Sequence, residues 1–470
     1  MTLSTPGAAD SLAPGAPADS MRIEDFVTDV DQLTAFAFLP DGRLLITRKS
    51  GELVLASADG QTTEVIANFD VDTDSEKGLL NVLVHPGFAQ NHLIFLYYSR
   101  NGGDSLDKHR VVTVPFENDD VNPAAETVIV SNLRGPANHD GGALALSPDG
   151  RYLYVGVGDT GCNSGQPPEP AYTPTNYFGT CLTTANGKIL RVNVDGSIPT
   201  DNPIVGDMAT ACGDGCGDEP TTLAMGRGEI FAWGFRNPWR IWADPQTGNV
   251  WVGDVGEVTF EEINVVPPAG GKHYGWPWRE GRSGHPLSKC TEISPNVGDC
   301  VEPVYHCGRG GGADGGCSSI TGGVIVDSCS WPPTLRGRYY FADFSAGVVY
   351  SLGVNAGRDG VNGPRANFAN STASAGPVHF DVGPDGNLYY GTHAGTIVRV
   401  SPRTPATCAG AGGSGGGGGA SGGAANVSGS DADGGCGCRM PGSGSRALGW
   451  VGVGLLGLCG ALLLRRGSRS

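Results

Sequence analysis

Short apolar runs joined by tight polar turns make up most of the chain. In residues 38–46, the turn Pro40-Asp41-Gly42 joins one apolar run to the next, which is typical of two antiparallel strands. Further units of this kind begin at His85, Ser147, Asp244, Leu335 and Gly383. Because this strand-turn-strand unit occurs six times, the pattern predicts an all-β fold, a six-bladed β-propeller with large insertions in the middle blades. A β-sandwich is the alternative, although a sandwich would not repeat one turn motif in this way.

The composition favours short strands over long helices. The 470 residues include 77 Gly and 32 Pro, and only 17% are charged, as expected for many strands joined by turns. The formal net charge of −17 argues against nucleic acid as a partner, because the phosphate backbone would be repelled. Abundant carboxylates suit a hard cation such as calcium.

The C-terminal part differs in composition from the body. Residues 409–435 form a linker rich in Gly, Ala and Ser, and residues 436–470 contain a Cys-Gly-Cys motif, an apolar run and terminal arginines. The apolar run, residues 447–464, is just long enough to predict a single transmembrane helix with a cytoplasmic C-terminus. A buried core helix is the alternative. The whole tail resembles the MYXO-CTERM sorting tails of myxobacterial surface proteins, which implies an exported body anchored at the cell surface.

The remaining chain divides into a predicted disordered segment, residues 1–20, and the predicted propeller, residues 21–408. No signal peptide is visible in residues 1–20, which lack a basic start and an apolar core. The thirteen cysteines stand in predicted loops without His at zinc-finger spacing. They therefore predict disulfides formed in an oxidising compartment, with zinc as the alternative.

A candidate catalytic pair lies at the ends of one predicted hairpin. His139 stands just before a strand, and Asp159 stands just after the next strand, across a Pro-Asp-Gly turn. Both side chains therefore lie at the same end of the hairpin, where a carboxylate can orient an imidazole as a general base. A polar loop histidine beside an unrelated turn aspartate is the alternative.

Three acidic residues form a candidate cation site. Glu257, Glu261 and Glu262 lie close together in sequence. Clustered carboxylates and exposed backbone carbonyls are the ligands that calcium prefers. A solvated acidic loop is the alternative, since such loops are common on acidic proteins.

Four stretches occur in a characteristic order along the chain. They are residues 78–86 (GLLNVLVHP), 138–159, 233–238 (WGFRNP) and 254–277. The ordered set resembles the glucose/sorbosone dehydrogenase family over roughly residues 25–402. That family comprises soluble sugar dehydrogenases that use pyrroloquinoline quinone (PQQ), together with hedgehog-interacting-protein-like propellers. The resemblance implies oxidation of a small-molecule sugar or related alcohol, with PQQ and calcium as cofactors.

The resemblance also implies roles for individual residues. His139 matches the general base that takes the proton of the sugar hydroxyl, and Asp159 matches the carboxylate that orients this base. Arg236 matches an arginine that stabilises negative charge on the quinone, whereas a structural salt bridge at the strand end is the alternative. The implied cofactor-binding residues are Glu76, Asn138, Arg236 and Asn237. The implied calcium ligands are Gly256, Glu257, Glu261, Glu262 and Tyr274.

The chain departs from the PQQ-using members at the positions that hold the quinone carboxylates. In the soluble glucose enzymes, Lys and Arg from the last two blades do so. Here those positions fall in residues 344–347 (FSAG) and 377–381 (PVHFD), which contain neither Lys nor Arg, and Ala143 replaces an arginine that commonly follows the His-Gly-Gly motif. A buried carboxylate without a cationic partner is costly.

Two hypotheses follow. The first is a surface-tethered, PQQ-dependent oxidoreductase that acts on the hydroxyl of a sugar or alcohol. The second is a non-catalytic propeller that has lost PQQ and binds carbohydrate or protein. Retention of His139, Asp159 and Arg236 favours the enzyme, because a scaffold has no reason to keep all three.

Overall fold

Antiparallel sheets of four main strands, arranged as blades, make up the body of the protein in a computed structural model. The structure describes residues 10–14, 16–102, 104–135, 138–162, 173–213, 215–220, 222–293, 298–310, 316–371 and 376–408. The chain divides into two units, Met1–Thr407 and Cys408–Ser470. Of the second unit, only Cys408 is described.

Two N-terminal strands precede the first complete blade and pair with later parts of the chain. They are β1 (Ser11–Leu12) and β2 (Met21–Val27). Blade 1 contains β3 (Leu33–Phe38), β4 (Leu44–Arg48), β5 (Glu52–Ala56) and β6 (Thr63–Asn68).

Blades 2 and 3 follow, and blade 3 carries a long insertion. Blade 2 contains β7 (Leu79–Val84), α1 (Phe88–Asn91), β8 (Leu93–Ser99), β9 (His109–Pro115) and β10 (Thr127–Leu133), with 3₁₀ turns at Ser105–Asp107 and Pro123–Ala125. Blade 3 contains β11 (Ala143–Leu146), β12 (Tyr152–Val157), β13 (Lys188–Asn193) and β16 (Ile230–Trp233), and its insertion forms the hairpin β14 (Met208–Ala211) and β15 (Thr222–Met225).

Blades 4, 5 and 6 complete the ring. Blade 4 contains β17 (Pro238–Ala243), β18 (Val250–Asp254), β19 (Phe260–Val266) and β22 (Tyr305–Gly308), with β20 (Arg279–Glu280), β21 (Ser283–Gly284) and α2 (Lys289–Ile293) inserted. Blade 5 contains β23 (Ile320–Val326), β24 (Arg338–Asp343), β25 (Val348–Val354) and β26 (Val361–Asn370). Blade 6 contains β27 (Pro377–Val382), β28 (Leu388–Thr392) and β29 (Ile397–Pro402).

The N-terminal strands join the two ends of the chain's body. Strand β2 pairs antiparallel with β29, with Ile23 opposite Val400, and so supplies the fourth strand of blade 6. Residues 11 and 12 lie in the segment that the sequence predicts to be disordered, but they form β1 and pair with the edge strand β26. Pairing covers the free edge of blade 5, which explains why this short segment is ordered.

The repeated turns occupy equivalent places in the blades, which confirms the prediction of a six-bladed propeller. Each turn joins the first strand of a blade to the second. In blade 3, for example, the Asp149 carboxylate accepts hydrogen bonds from the Ser147 hydroxyl at 2.6 Å and the Arg151 amide at 3.1 Å. Gly150 has a φ of +69° in this turn, a conformation that favours glycine.

Apolar side chains between neighbouring blades form the core. Trp251 of blade 4, for instance, stacks on Tyr339 of blade 5 with ring centroids 4.8 Å apart, and both rings are buried. The first strands of adjacent blades lie side by side around the central axis. Their N-terminal ends therefore converge at one end of the propeller, and the loops at that end carry the candidate site.

The predicted disulfides are confirmed in the insertions of blades 3 and 4 and between β22 and the loop that follows it. The pairs are Cys162–Cys216, Cys181–Cys212, Cys290–Cys300 and Cys307–Cys317. Two of these cysteines lie in regular elements, since Cys290 belongs to α2 and Cys307 to β22. His273 lies near Cys290 and Cys300, but those two sulfurs are bonded to each other, which argues against the zinc alternative there.

The predicted linker and transmembrane run, residues 409–470, lie outside the described residues. Within the described part of the chain, no helix has the length and apolar character needed to cross a membrane.

Candidate active site

His139 and Asp159 meet at the end of the β11–β12 hairpin, where the sequence places them. Their Nδ1 and Oδ1 atoms are 2.7 Å apart. Both residues are buried, with 5% of His139 and 1% of Asp159 exposed. His139 has a φ of +54°, a left-handed conformation that a non-glycine residue adopts at a cost. The surrounding contacts must therefore hold this loop in place.

The Asp159 carboxylate is held by three donors. Besides His139, Oδ1 accepts a hydrogen bond from the Gly161 amide at 2.9 Å, and Oδ2 accepts one from the Trp276 indole at 2.8 Å. Burial alone would raise the pKa of Asp159, but its close contact with His139, the nearby positive charge of Arg236 and the hydrogen bond from the Gly161 amide lower it. Asp159 is therefore a fixed anion at neutral pH, and it favours the tautomer of His139 that carries its proton on Nδ1.

A second histidine–carboxylate pair, His109 and Asp140, lies beside the loop that carries His139. His109 Nε2 lies 3.0 Å from Asp140 Oδ1, and His109 Nδ1 lies 2.9 Å from the Ser99 hydroxyl. The Tyr97 hydroxyl donates to the Asp140 carbonyl at 2.9 Å. Asp140 follows His139 directly, so the Tyr97 hydrogen bond restrains the strained backbone, while the close His109–Asp140 contact lacks hydrogen-bond geometry in the described residues. The sequence prediction missed His109, because only the fold brings blade 2 against this loop.

Arg236 is tied to the loop that follows β18. Its guanidinium forms an ion pair with Glu257 and donates to the Val255 carbonyl at 3.0 Å. It also lies over the Trp276 ring, 5.7 Å from the centroid. The salt bridge at the strand end, the alternative for Arg236, is thus present. Nε of Arg236 is buried and has no hydrogen-bond partner among the described residues, so one donor is available.

Glu76 and Asn237 connect this loop to a cavity on the axis. Glu76 Oε2 accepts hydrogen bonds from the Asp140 amide at 3.3 Å and from Asn237 Nδ2 at 3.2 Å, and Asn237 Oδ1 accepts one from the Gly141 amide at 3.2 Å. Burial raises the pKa of Glu76. Asn138, the remaining predicted cofactor residue, is half-buried next to Gly161.

The cavity has a volume of about 240 Å³ and is lined by blades 1, 2, 4, 5 and 6. Its walls include Glu76 and Asn237, whereas His139, Asp159 and Arg236 do not line it. The structure thus brings the predicted catalytic residues His139, Asp159 and Arg236 together. The predicted cofactor residues Glu76 and Asn237 lie between this group and the cavity.

The predicted calcium ligands are spread along β19 and its loops. Glu261 and Glu262 are neighbours in a strand, so their side chains point to opposite faces. Glu261 pairs with Arg309 and accepts from the Ile320 amide at 2.9 Å, while Glu262 accepts from the Gly281 amide.

The other predicted calcium ligands also have partners in the protein. Glu257 is paired with Arg236, the Gly256 carbonyl accepts from Arg309 at 3.0 Å, and the Tyr274 hydroxyl donates to the Val265 carbonyl at 2.8 Å. The ligand atoms named here are thus engaged with protein donors or acceptors, and the metal site stays a prediction.

Two buried carboxylates in the region of the predicted calcium ligands, those of Asp254 and Glu262, repel each other when both are ionised. Asp254 of β18 lies opposite Glu262 of β19. Burial raises the pKa of Asp254 to about 7. Burial and the charge of Asp254 raise the pKa of Glu262 well above its usual value. A proton or a bound cation would relieve this repulsion.

Comparison with known proteins identifies the family of this chain. The family model described as Glucose / Sorbosone dehydrogenase matches residues 30–399. An aldose sugar dehydrogenase of Escherichia coli (strain K12) is 28% identical over 401 residues, which cover 83% of this chain and 94% of the relative. A quinoprotein glucose dehydrogenase B of Acinetobacter calcoaceticus is 26% identical over 279 residues, 56% of this chain and 53% of the relative.

A solved structure gives the same architecture. The PQQ-bound form of an aldose sugar dehydrogenase from Streptomyces coelicolor superposes with a TM-score of 0.60 at 18% identity, covering 83% of this chain and all of its own (100%). This likeness supports the propeller fold. With the family model matching most of the body, the chain belongs to the glucose/sorbosone dehydrogenase family.

Proposed function

We propose that this protein is a PQQ-dependent dehydrogenase that oxidises a hydroxyl group of an aldose sugar or a related alcohol. The observation that carries the proposal is the buried His139–Asp159 pair, with Nδ1 and Oδ1 at 2.7 Å. Relatives whose names are aldose sugar dehydrogenase and quinoprotein glucose dehydrogenase support the same reaction class. They do not favour the alternative of a non-catalytic binding propeller.

The chain's own residues supply the acid–base part of this reaction. With the proton on Nδ1 directed at Asp159, His139 Nε2 keeps a lone pair that can accept the proton of a substrate hydroxyl. The resulting imidazolium is stabilised by the anionic Asp159, whose carboxylate is already held by Gly161 and Trp276. Little reorganisation is therefore needed when the charge develops.

The cofactor would be held beside this pair. When bound, PQQ supplies the two-electron acceptor for the hydride that leaves the substrate carbon. Glu76 and Asn237 are placed to contact such a group, since both line the cavity and both bond to the His139 loop. Arg236 keeps one unpartnered donor, Nε. Negative charge that develops nearby would be stabilised by this arginine.

Dye reduction tests the proposal. Purified full-length protein is incubated with PQQ and calcium, and reduction of an artificial electron acceptor is measured across a panel of aldoses and simple alcohols. We expect turnover that depends on both PQQ and sugar. Absence of turnover, together with absence of quinone absorbance on the desalted protein, would overturn the assignment.

We also propose that the propeller lies outside the cytoplasm, tethered at the cell surface by the C-terminal segment. Disulfides in the body support an oxidising compartment, and the apolar run at residues 447–464 followed by arginines supports a membrane anchor. Cell fractionation with an antibody against the body tests this. Recovery of the protein from the cytoplasm with its thiols reduced would contradict it.

A further inference from the structure

The cavity on the propeller axis has few ionisable side chains in its described wall. Among the described side chains that line it, the ionisable ones are Lys49, Glu76 and His393. Burial raises the pKa of Glu76, and its Oε2 atom already accepts hydrogen bonds from the Asp140 amide and from Asn237. Lys49 is therefore the Lys or Arg among the described lining residues that can meet an anionic ligand.

Blades 5 and 6 contribute apolar side chains to the cavity at the positions that the resemblance associates with the quinone carboxylates. Phe344 of blade 5 and Val378 of blade 6 both line the cavity. A ligand with several carboxylates would meet no Lys or Arg among the described lining residues of these two blades, so its carboxylates must be neutralised from elsewhere in the wall.

Lys49 approaches the cavity from blade 1. It lies in the turn between β4 and β5, is half-buried, and its Nζ donates to the Thr73 carbonyl at 2.5 Å. Among the described residues, no carboxylate forms an ion pair with Lys49, in contrast to the adjacent Arg48, which pairs with Glu52. The ammonium group keeps further donors for a ligand, since it has three protons.

Arg240 of β17 places a second positive charge next to the cavity. Its guanidinium donates to the carbonyls of Trp239 and Thr34, each at 2.7 Å, and to that of Leu80 at 3.4 Å. These three residues all line the cavity. Nε of Arg240 is buried without a hydrogen-bond partner in the described part of the chain. Burial lowers the pKa of Arg240 to about 9, so it stays charged at neutral pH.

We propose that Lys49 binds a carboxylate of the quinone directly and that Arg240 adds its positive field, because blades 5 and 6 place no Lys or Arg in the described wall of the cavity. This inference rests on the proposed function, because it concerns how the same cavity holds PQQ. In this proposal blades 1 and 4 of this chain recognise the quinone carboxylates, whereas the resemblance assigns that role to the last two blades.

Equilibrium titration of full-length protein tests the role of Lys49. PQQ and its uncharged trimethyl ester are titrated into wild type, Lys49→Gln, Lys49→Arg and Arg48→Gln, with bound quinone followed by absorbance. Arg48→Gln is the matched control, since it removes the same charge from the neighbouring residue. We expect Lys49→Gln to raise the Kd for PQQ by about tenfold or more, with Lys49→Arg and Arg48→Gln close to wild type. The ester should bind wild type and Lys49→Gln equally.

The outcomes separate this inference from the proposed function. If wild type binds PQQ but Lys49→Gln binds it equally well, or if the variant weakens PQQ and the ester alike, the role of Lys49 is refuted while the proposed function stands. If wild type binds no PQQ, the proposed function fails and this inference fails with it. An unchanged thermal midpoint of Lys49→Gln without quinone shows that the variant is folded.

Discussion

Replacing Asp159 with Asn isolates the charge that orients the proposed base. The carboxylate accepts hydrogen bonds from His139, Gly161 and Trp276 at 2.7, 2.9 and 2.8 Å. An amide has a single acceptor oxygen, so Asn can serve His139 and Gly161, or Trp276, but not all three. A buried donor left unpaired costs about 1–3 kcal/mol of stability.

The effect on turnover is larger than the effect on stability. With charge centres roughly 4 Å apart and an effective dielectric constant near 20, Asp159 stabilises an imidazolium by about 4 kcal/mol. This corresponds to a rate loss of about a thousandfold. If the amide NH₂ turns towards His139, the favoured tautomer is lost as well, and the rate falls further.

The assay is steady-state dye reduction with PQQ-loaded protein, alongside thermal unfolding. Asp149→Asn is the matched control, because Asp149 is a hydrogen-bonded aspartate at the opposite end of the same hairpin. We expect Asp159→Asn to bind PQQ, remain folded and lose about a thousandfold in kcat, while Asp149→Asn keeps its rate. An Asp159→Asn enzyme that turns over within threefold of wild type would refute the orienting role.

Three further perturbations test other parts of the account. His139→Ala should reduce turnover at least about a hundredfold without unfolding the protein. An unchanged rate of dye reduction in this variant would show that His139 is not the base. The lowered pKa of Asp159 contributes stability that is present above about pH 4 and is lost as the pH falls through the folded-state pKa. The free energy of unfolding of Asp159→Asn, measured by urea denaturation, should therefore fall less on acidification than that of wild type. Calcium should raise the thermal midpoint of wild type, because a cation that binds the folded state stabilises it by mass action. A combined Glu261→Gln, Glu262→Gln variant should lose that shift, and the control variant Glu64→Gln, at an exposed position, should keep it. An unchanged calcium response in the double variant would place the metal elsewhere.

The fold was largely predictable because its signals are local. Each turn such as residues 147–150 determines its own hairpin, and repetition of the turn predicts the number of blades. The same locality places His139 and Asp159 together, since both flank one hairpin. The pairing of β2 with β29 was not predictable, because an apolar strand pattern does not specify which distant edge the strand will join.

The site was predictable only where its contacts are close in sequence. The role of His109 depends on blade 2 packing against the Asp140 loop, and the position of Arg240 depends on the convergence of several blades around the axis. Nothing in a single local motif encodes these contacts. The family prediction and the preference for an enzyme are confirmed by the comparisons, whereas the metal ligands remain predictions.

The central claim is that a sugar hydroxyl is oxidised at the His139–Asp159 pair with a bound quinone as acceptor. Anaerobic mixing of PQQ-loaded full-length protein with an aldose, followed by stopped-flow absorbance, measures this step without any external acceptor. We predict loss of the quinone absorbance with one aldose oxidised per quinone, and a rate at least about a hundredfold slower in His139→Ala. Stoichiometrically bound quinone that stays oxidised with every aldose and alcohol tested would contradict the account.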